Sequence, residues 1–290
     1  MAKYFSPFLI IVLISILGLL SACDKLPEIP LTKTAEFEQT PDKHAVKPII
    51  EESSGIADSK TNPGNLWVHE DSGRPTQLYL LNHDGNVVKP VYLAGAVNRD
   101  WEDMTRVGNE LYIGDIGDNS KVYPEYTFYQ FTEPALTEDT VRNVKAIRFQ
   151  YPDGSHDAEA FLVNPETKDI YIITKQDNPS RIYQLTFPYN YNGVNSVTQV
   201  GNTPYTGIVS AALSEDGKEI LLKTYTSLYH RTRQDKESIV EALKNNFTNI
   251  PYQLEPQGEA LTFAVDNSGF FTLSEKGFTQ TVNLYFYQRK

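Results

Sequence analysis

The sequence predicts an all-β protein, a β-propeller of five blades, and three observations carry that expectation. One phrase recurs five times: a small or acidic residue pair, an apolar strand, a turn, and a second apolar strand. Residues 52–56 lead into 66–70, 101–104 into 111–115, 158–161 into 170–174, 209–213 into 220–224, and 258–261 into 270–274. The steps from Gly55 through Asp103, Glu159 and Ala211 to Glu259 are 48, 56, 52 and 48 residues. A period near fifty built from short strands is that of a propeller, one blade per repeat. Turn sequences divide the strands throughout, at 62–65, 83–86, 152–154, 164–166, 215–217 and 266–269, each rich in Asn, Asp, Pro or Gly. Those residues supply positive φ or side-chain hydrogen bonds to the backbone, as tight turns require.

The chain begins with a segment that the pattern excludes from the fold. Lys3 gives a short positive region, residues 8–20 an apolar run of about thirteen, and Leu20-Ser21-Ala22-Cys23 then matches a bacterial lipoprotein signal. The run is too short to span a bilayer comfortably. Residues 1–22 are therefore read as a signal peptide and Cys23, the single cysteine, as the lipidation site. The lipid would hold the protein on a membrane of the bacterial cell envelope, outside the cytoplasm. Residues 23–47, rich in Pro, Thr, Glu and Lys without periodicity, read as a flexible tether.

Residues 48–290 read as one propeller domain, with no disulfide available and its stability left to packing. Further strands follow each phrase, at 77–81, 126–131, 181–185 and 283–287, and their Tyr and Phe suit packing between blades. Residues 235–247 form the one helical pattern: Ile239, Val240, Leu243 and Phe247 make an apolar stripe, acids come early and Lys244 late. It reads as an insertion against the propeller rim. The segment before Glu51 is expected to pair with the chain end, closing the ring. A sixth, degenerate blade within 123–151 remains the alternative.

Without Lys3 the exported chain carries 25 basic and 37 acidic residues, a net charge of −12. That balance disfavours nucleic acid as a partner and suits cations or neutral ligands.

Four of the five phrases carry carboxylates where the channel-lining strands begin: Glu52, Glu102 with Asp103, Glu159 and Glu259. Carboxylates crowded around one pore raise one another's pKa or require a cation. Oxygen ligands alone favour Ca²⁺ or Mg²⁺. The metal candidates are thus Glu102, Asp103, Glu159 and Glu259, with Asp115 from an Asp-rich loop. The same acids, as hydrogen-bonding staples between blades, would be purely structural. The fourth phrase lacks a carboxylate, and Lys175 and Lys223 are the counter-charges on that side. Glu52, His69, Glu70, Trp101, Lys175, Lys223 and Glu275 complete a ligand-binding set on strand ends and the polar loops after them. His69 and His156, each beside acids, are the candidate general bases, although Gly-x-Ser-x-Gly and His-Glu-x-x-His motifs are absent. Trp67 and Trp101 are candidates for a stacking floor, with inter-blade packing as the competing role.

The run through Ser54-Gly55-Ile56, 62–67 and His69-Glu70-Asp71-Ser72-Gly73, then Asp100-Trp101-Glu102-Asp103 and 112–119, resembles a family of exported bacterial propeller proteins. Residues 151–160, 255–260 and 272–275 continue the likeness, which covers nearly all of 50–290. The resemblance implies a propeller, with distant kinship to phytase-like and other six-bladed propellers. It assigns no catalytic residue. The phytase-like comparison implies an acidic calcium site and phosphoester hydrolysis, yet the chain shows no cluster of Lys and Arg to hold a phosphate. Two functions from different classes follow: a membrane-tethered module binding a cation, a small polar ligand or an envelope protein at its axis, or a divalent-metal-dependent hydrolase of phosphoesters or sugar derivatives.

Overall fold

Each of the five repeats folds into one antiparallel sheet whose first strand lines the axis. The computed structural model describes residues 36–290. Blade one contains Ser53–Asp58, Asn65–Glu70, Gln77–Asn82 and Val87–Leu93 in that order. Blade two contains Trp101–Val107, Glu110–Asp115, Tyr126–Thr132 and Lys145–Gln150. Blade three is Ala158–Val163, Ile170–Thr174, Arg181–Leu185 and Thr198–Asn202, and blade four Ser210–Leu213, Glu219–Lys223, Leu228–Thr232 and Thr248–Ile250. Blade five takes Gly258–Phe263, Gly269–Ser274 and Asn283–Gln288 from the end of the chain and its outer strand, Asp42–Ala45, from the beginning. The ring therefore closes by pairing both ends, as expected, and residues 42–45 belong to the propeller rather than to the tether. Phe37 also docks on blade five, edge-on to Phe270 at 4.9 Å. Residues 1–22 and Cys23 lie outside the described residues, and among those described no helix is long and apolar enough to cross a membrane.

The apolar side chains divide into five buried clusters, one for each junction between neighbouring blades. Trp67, Leu78 and Leu80 of blade one meet Met104, Leu111 and Phe131 of blade two. Phe128 and Phe149 of blade two meet Phe161 and Tyr183 of blade three. Ile56 and Val68 of blade one meet Phe271, Leu273 and Leu284 of blade five, which completes the circle. Burying one such side chain stabilises the fold by about 1.5–3 kcal/mol.

The irregular segments follow a rule of their own. The connection between the third and fourth strands of one blade covers the outer edge of the blade before it. Thr140–Val141, from blade two, pairs parallel with Val87–Leu93 of blade one. Val194–Ser196, from blade three, pairs parallel with Lys145–Gln150 of blade two. In blade four the same connection forms the helix α1 (Ile239–Leu243), which packs Ile239, Ala242 and Leu243 into the cluster between blades three and four. Helix α1 is shorter than the sequence pattern. Ser238 and Glu241 form a capping box that fixes its start, and residues 235–237 precede it as a turn. The stretch 123–151 holds two outer strands and an edge strand, so there is no sixth blade.

Candidate functional site

Bulges at the mouths of the inner strands build the site. The ladder between the first two strands shifts register between Ser53 and Gly55, Trp101 and Met104, Ala158 and Ala160, and Gly258 and Ala260. The extra residues are Ser54, Glu102 with Asp103, Glu159 and Glu259. A bulge re-aims a side chain and ends regular pairing. Blade four runs straight from Ser210 opposite Lys223, and it is the blade without a carboxylate. In blade one the equivalent residue is Ser54 rather than Glu52. Its hydroxyl donates to the Glu102 carbonyl at 2.6 Å, while Glu52 accepts from Arg74 at 3.1 Å.

A second ring comes from the residues just past the second strands. Asp71, Lys175 and Glu275 each follow such a strand directly, and Tyr225 fills the place on blade four one residue later. Lys175 Nζ donates to Glu159 Oε1 and lies 3.2 Å from the Tyr225 hydroxyl, which donates to Glu259 Oε1 at 2.5 Å. Glu275 stands beside Glu259, whose charge acts on it. On the other side of the axis, Asp71, Asp100 and Glu102 bring one carboxylate oxygen each to within 4.8 Å of one another. Asn98 donates to the carbonyls of Glu70 and Asp71, and Asp115 accepts from the Asp100 amide at 2.8 Å, which fixes both loops. Gly117 is required by this crowding: a Cβ there would stand 2.0 Å from Glu102 Oε1 and 2.5 Å from Asp100 Oδ2.

The electrostatics follow from burial and like charge. Glu102 and Glu159 are held well above the usual carboxylate range, first by desolvation and then by each other's neighbourhood: Glu159 beside Glu102, Glu259 beside Glu159. Burial, with Glu259 next, pushes Glu275 up to about 8, and burial with Asp71 pushes Asp100 up to about 6. Burial is the largest single influence on Lys175 and opposes its charge, but Glu159, joined by Glu259 and Glu102, outweighs it and raises the ammonium's pKa. One oxygen of Glu159, Oε2, is fully buried without any hydrogen-bond partner. A buried carboxylate oxygen left unpaired is costly. The all-oxygen set of Asp71, Asp100 and Glu102 across the axis suits a hard divalent cation, so those residues fit Ca²⁺ or Mg²⁺.

The remaining sequence candidates divide. Asp103 is buried on the axis but fully engaged, accepting from the Met104 amide at 3.0 Å, the Ser210 hydroxyl at 3.1 Å and the Ala211 amide at 3.2 Å. It staples blade two to blade four across the channel. Glu70 faces away from the axial carboxylates, accepting from Tyr79 and from the amides of Glu51 and Glu52. Trp101 is sealed in the core with its indole N–H on the Val97 carbonyl, and Trp67 likewise donates to Glu133. Lys223 is fully buried 3.9 Å from Glu255 and over the Tyr252 ring, which burial answers by lowering its pKa. His69 is sealed under Gly55, and desolvation pulls it down to about 4, so it is neutral at pH 7. His156 is tied to Asp153, Asp177 and Tyr183 in blade three. Asp71, Asp100 and Tyr225 are the site residues that sequence reasoning missed. Asp71 stands in a polar loop it had marked and Asp100 in the run quoted for the resemblance, and the position after each second strand, counted across all five repeats, would have found Asp71 and pointed to Tyr225.

No protein-family model matches the chain, and no curated relative matches it. Among solved structures it is similar to hydrazine synthase of Kuenenia stuttgartiensis, at 9% identity over 77% of this chain and 68% of that one, with a TM-score of 0.44. It is also similar to the WD40 repeats of RRP9, at 9% identity over 87% of this chain and 100% of that one, with a TM-score of 0.46. Neither likeness bears on the residues of the site.

Proposed function

We propose that the axial mouth of the propeller binds a divalent cation, Ca²⁺ or Mg²⁺, between Asp71, Asp100 and Glu102, with Glu159, Glu259 and Glu275 completing the acidic wall. The convergence of those three carboxylates carries this reading, because the lysine of the mouth is spent on Glu159 instead. Lys175 and Tyr225, opposite the cation position, would orient a small polar ligand or a side chain of an envelope partner. The protein is read as a binding module, held on a membrane by lipid on Cys23. Lipidation is tested by labelling with a fatty acid analogue, which the Cys23→Ser variant would not take up. The hydrolase reading draws no support from its two histidines, since His69 is sealed and His156 is engaged in blade three.

The test is calorimetric titration of CaCl₂ and MgCl₂ into the chelator-treated full chain, beside Glu102→Gln. Binding in the native protein, weakened about tenfold or more in the variant, supports the cation site. The variant's melting temperature separates the readings further. Removing one of several repelling carboxylates raises it in a cation site, and removing a staple lowers it. No heat with either ion, together with a lower melting temperature for Glu102→Gln, leaves the acids as structural staples.

A further inference from the structure

A second site of different chemistry lies at the opposite end of the inner strands. Where Ser53–Asp58 and Gly258–Phe263 finish, blades one and five part to leave a cavity of about 450 Å³. That volume falls in the range of small-molecule pockets. Arg106 bridges the Asp58 carbonyl at 2.9 Å and Glu215 at 2.6 Å at this end of the inner strands.

The cavity has an aromatic wall. Phe271 and Phe286, neighbours on blade five, have ring centroids 4.6 Å apart, and His83 from blade one lies 4.6 Å from Phe271 at 41°. The wall is built rather than incidental. Asp58, itself buried, accepts from His83 Nε2 at 2.8 Å and from the Val265 amide at 2.8 Å, which locks the imidazole and ties the two blades together. Around this wall stand four carboxylates, Asp42, Asp58, Asp84 and Asp266. The one lysine or arginine of the lining, Lys60, is turned to Glu215 at 3.3 Å.

From this juxtaposition we infer that the cleft between blades one and five binds a small organic cation, an ammonium or guanidinium carried on an apolar body. Aromatic faces attract such a cation by their quadrupole, the apolar body gains from burial against them, and the surrounding carboxylates complement its charge. An anionic ligand would meet the same carboxylates as repulsion. A bare metal ion is not the fit, since these carboxylates do not converge as Asp71, Asp100 and Glu102 do: no group drawn from this cleft brings three ligand atoms together among the described residues.

The test uses benzyltrimethylammonium and phenethylamine, with 2-phenylethanol as the neutral comparator, titrated calorimetrically into the full chain. Both cations should bind about tenfold or more tightly than the alcohol. Phe286→Leu, and separately Asp84→Asn on the exposed turn, should weaken the cations while leaving the alcohol unchanged in the aspartate variant. Glu102→Gln, at the far end of the axis, should leave cation binding as it is, so that failure of the axial reading and failure of this one are distinguishable. Equal binding of alcohol and cations overturns the inference. So does absence of binding at millimolar concentration, or a loss seen in Glu102→Gln in place of the cleft variants.

Discussion

Lys175 is bonded to Glu159, the axial carboxylate whose other oxygen is buried without a partner. The ammonium therefore neutralises one side of a ring whose other side, at Asp71, Asp100 and Glu102, has no such counter-charge within its triad. Replacing it, as in Lys175→Met, leaves Glu159 uncompensated. The expected loss of stability in the cation-free protein is about 1–3 kcal/mol, less than for a sealed pair because part of the lysine meets solvent. A divalent cation no longer shares the mouth with a fixed positive charge, so its affinity should rise. Chemical denaturation and calcium titration of the same variant measure both. A variant that loses stability and cation affinity together would make Lys175 part of the site's frame rather than its counter-charge.

The titration of the mouth sets a pH dependence with a definite sign. Glu275 moves from an ordinary 4.5 to about 8 and Asp100 from 3.8 to about 6, and Glu102, Glu159 and Glu259 are raised as well. Acids raised in the folded state hold protons that the unfolded chain has released. Their contribution is complete below about pH 4 and is lost as pH rises toward 8. Lys175 is raised above 10.5 and stays charged across that window. His69, lowered from 6.5 to about 4, acts in the opposite sense: its contribution is complete above 6.5 and is lost as pH falls to 4. Thermal melts of chelated protein should therefore peak in mildly acidic buffer and decline toward pH 8. Millimolar Ca²⁺ should remove most of the alkaline decline, because the cation replaces the protons. A decline unaffected by Ca²⁺ would place the responsible acids outside the cation site.

The five-blade fold was legible because its repeat is written in strand-forming phrases of nearly constant spacing. Closure by the segment before Glu51 was legible from the missing outer strand of the last repeat, but its strand, residues 42–45, had been read as tether. The step of 56 residues between Asp103 and Glu159 obscured the count, since Thr140–Val141 serves the edge of blade one from within blade two. The axial carboxylates at Glu102, Glu159 and Glu259 were legible too, whereas Glu52 was misplaced by two residues. A bulge adds residues that a repeat alignment cannot see, and it put Ser54 where an acid was expected. His69 illustrates the other limit. An acid-flanked histidine reads as a base, but only packing shows that the imidazole is sealed and uncharged.

That sealing rests on Gly55. A Cβ at this position would lie 2.2 Å from His69 Nε2 and 2.8 Å from the Met104 backbone nitrogen. Neither neighbour can move freely, since His69 is fully buried edge-on to Trp101 at 5.6 Å. Gly55→Ala should cost about 3 kcal/mol by overpacking. In a His69→Ala background the ring is gone, and the same substitution should cost clearly less. A double-mutant cycle by urea denaturation measures the difference. Equal cost in both backgrounds would assign the clash to Met104 alone.

Lys223 and Glu255 make the last case, because their burial opposes their charge. Both side chains are 0% exposed, their charged atoms are 3.9 Å apart, and Nζ and Oε2 have no hydrogen-bond partner. Desolvation lowers the lysine and raises the glutamate, each toward its neutral form. Such a pair gives up in hydration much of what it gains in attraction, and apolar replacements of similar volume are often neutral or stabilising. Lys223→Met with Glu255→Gln should therefore fold with stability within about 1 kcal/mol of the native chain. Lys223→Met alone keeps a buried carboxyl without its cation, so its stability should fall as pH rises from 5 to 8. Cation titration should be unchanged in the double variant, because the pair lies beneath the mouth and supplies none of the Asp71, Asp100 and Glu102 oxygens. Loss of cation binding in the double variant, with the fold intact, would instead make Lys223 part of the site.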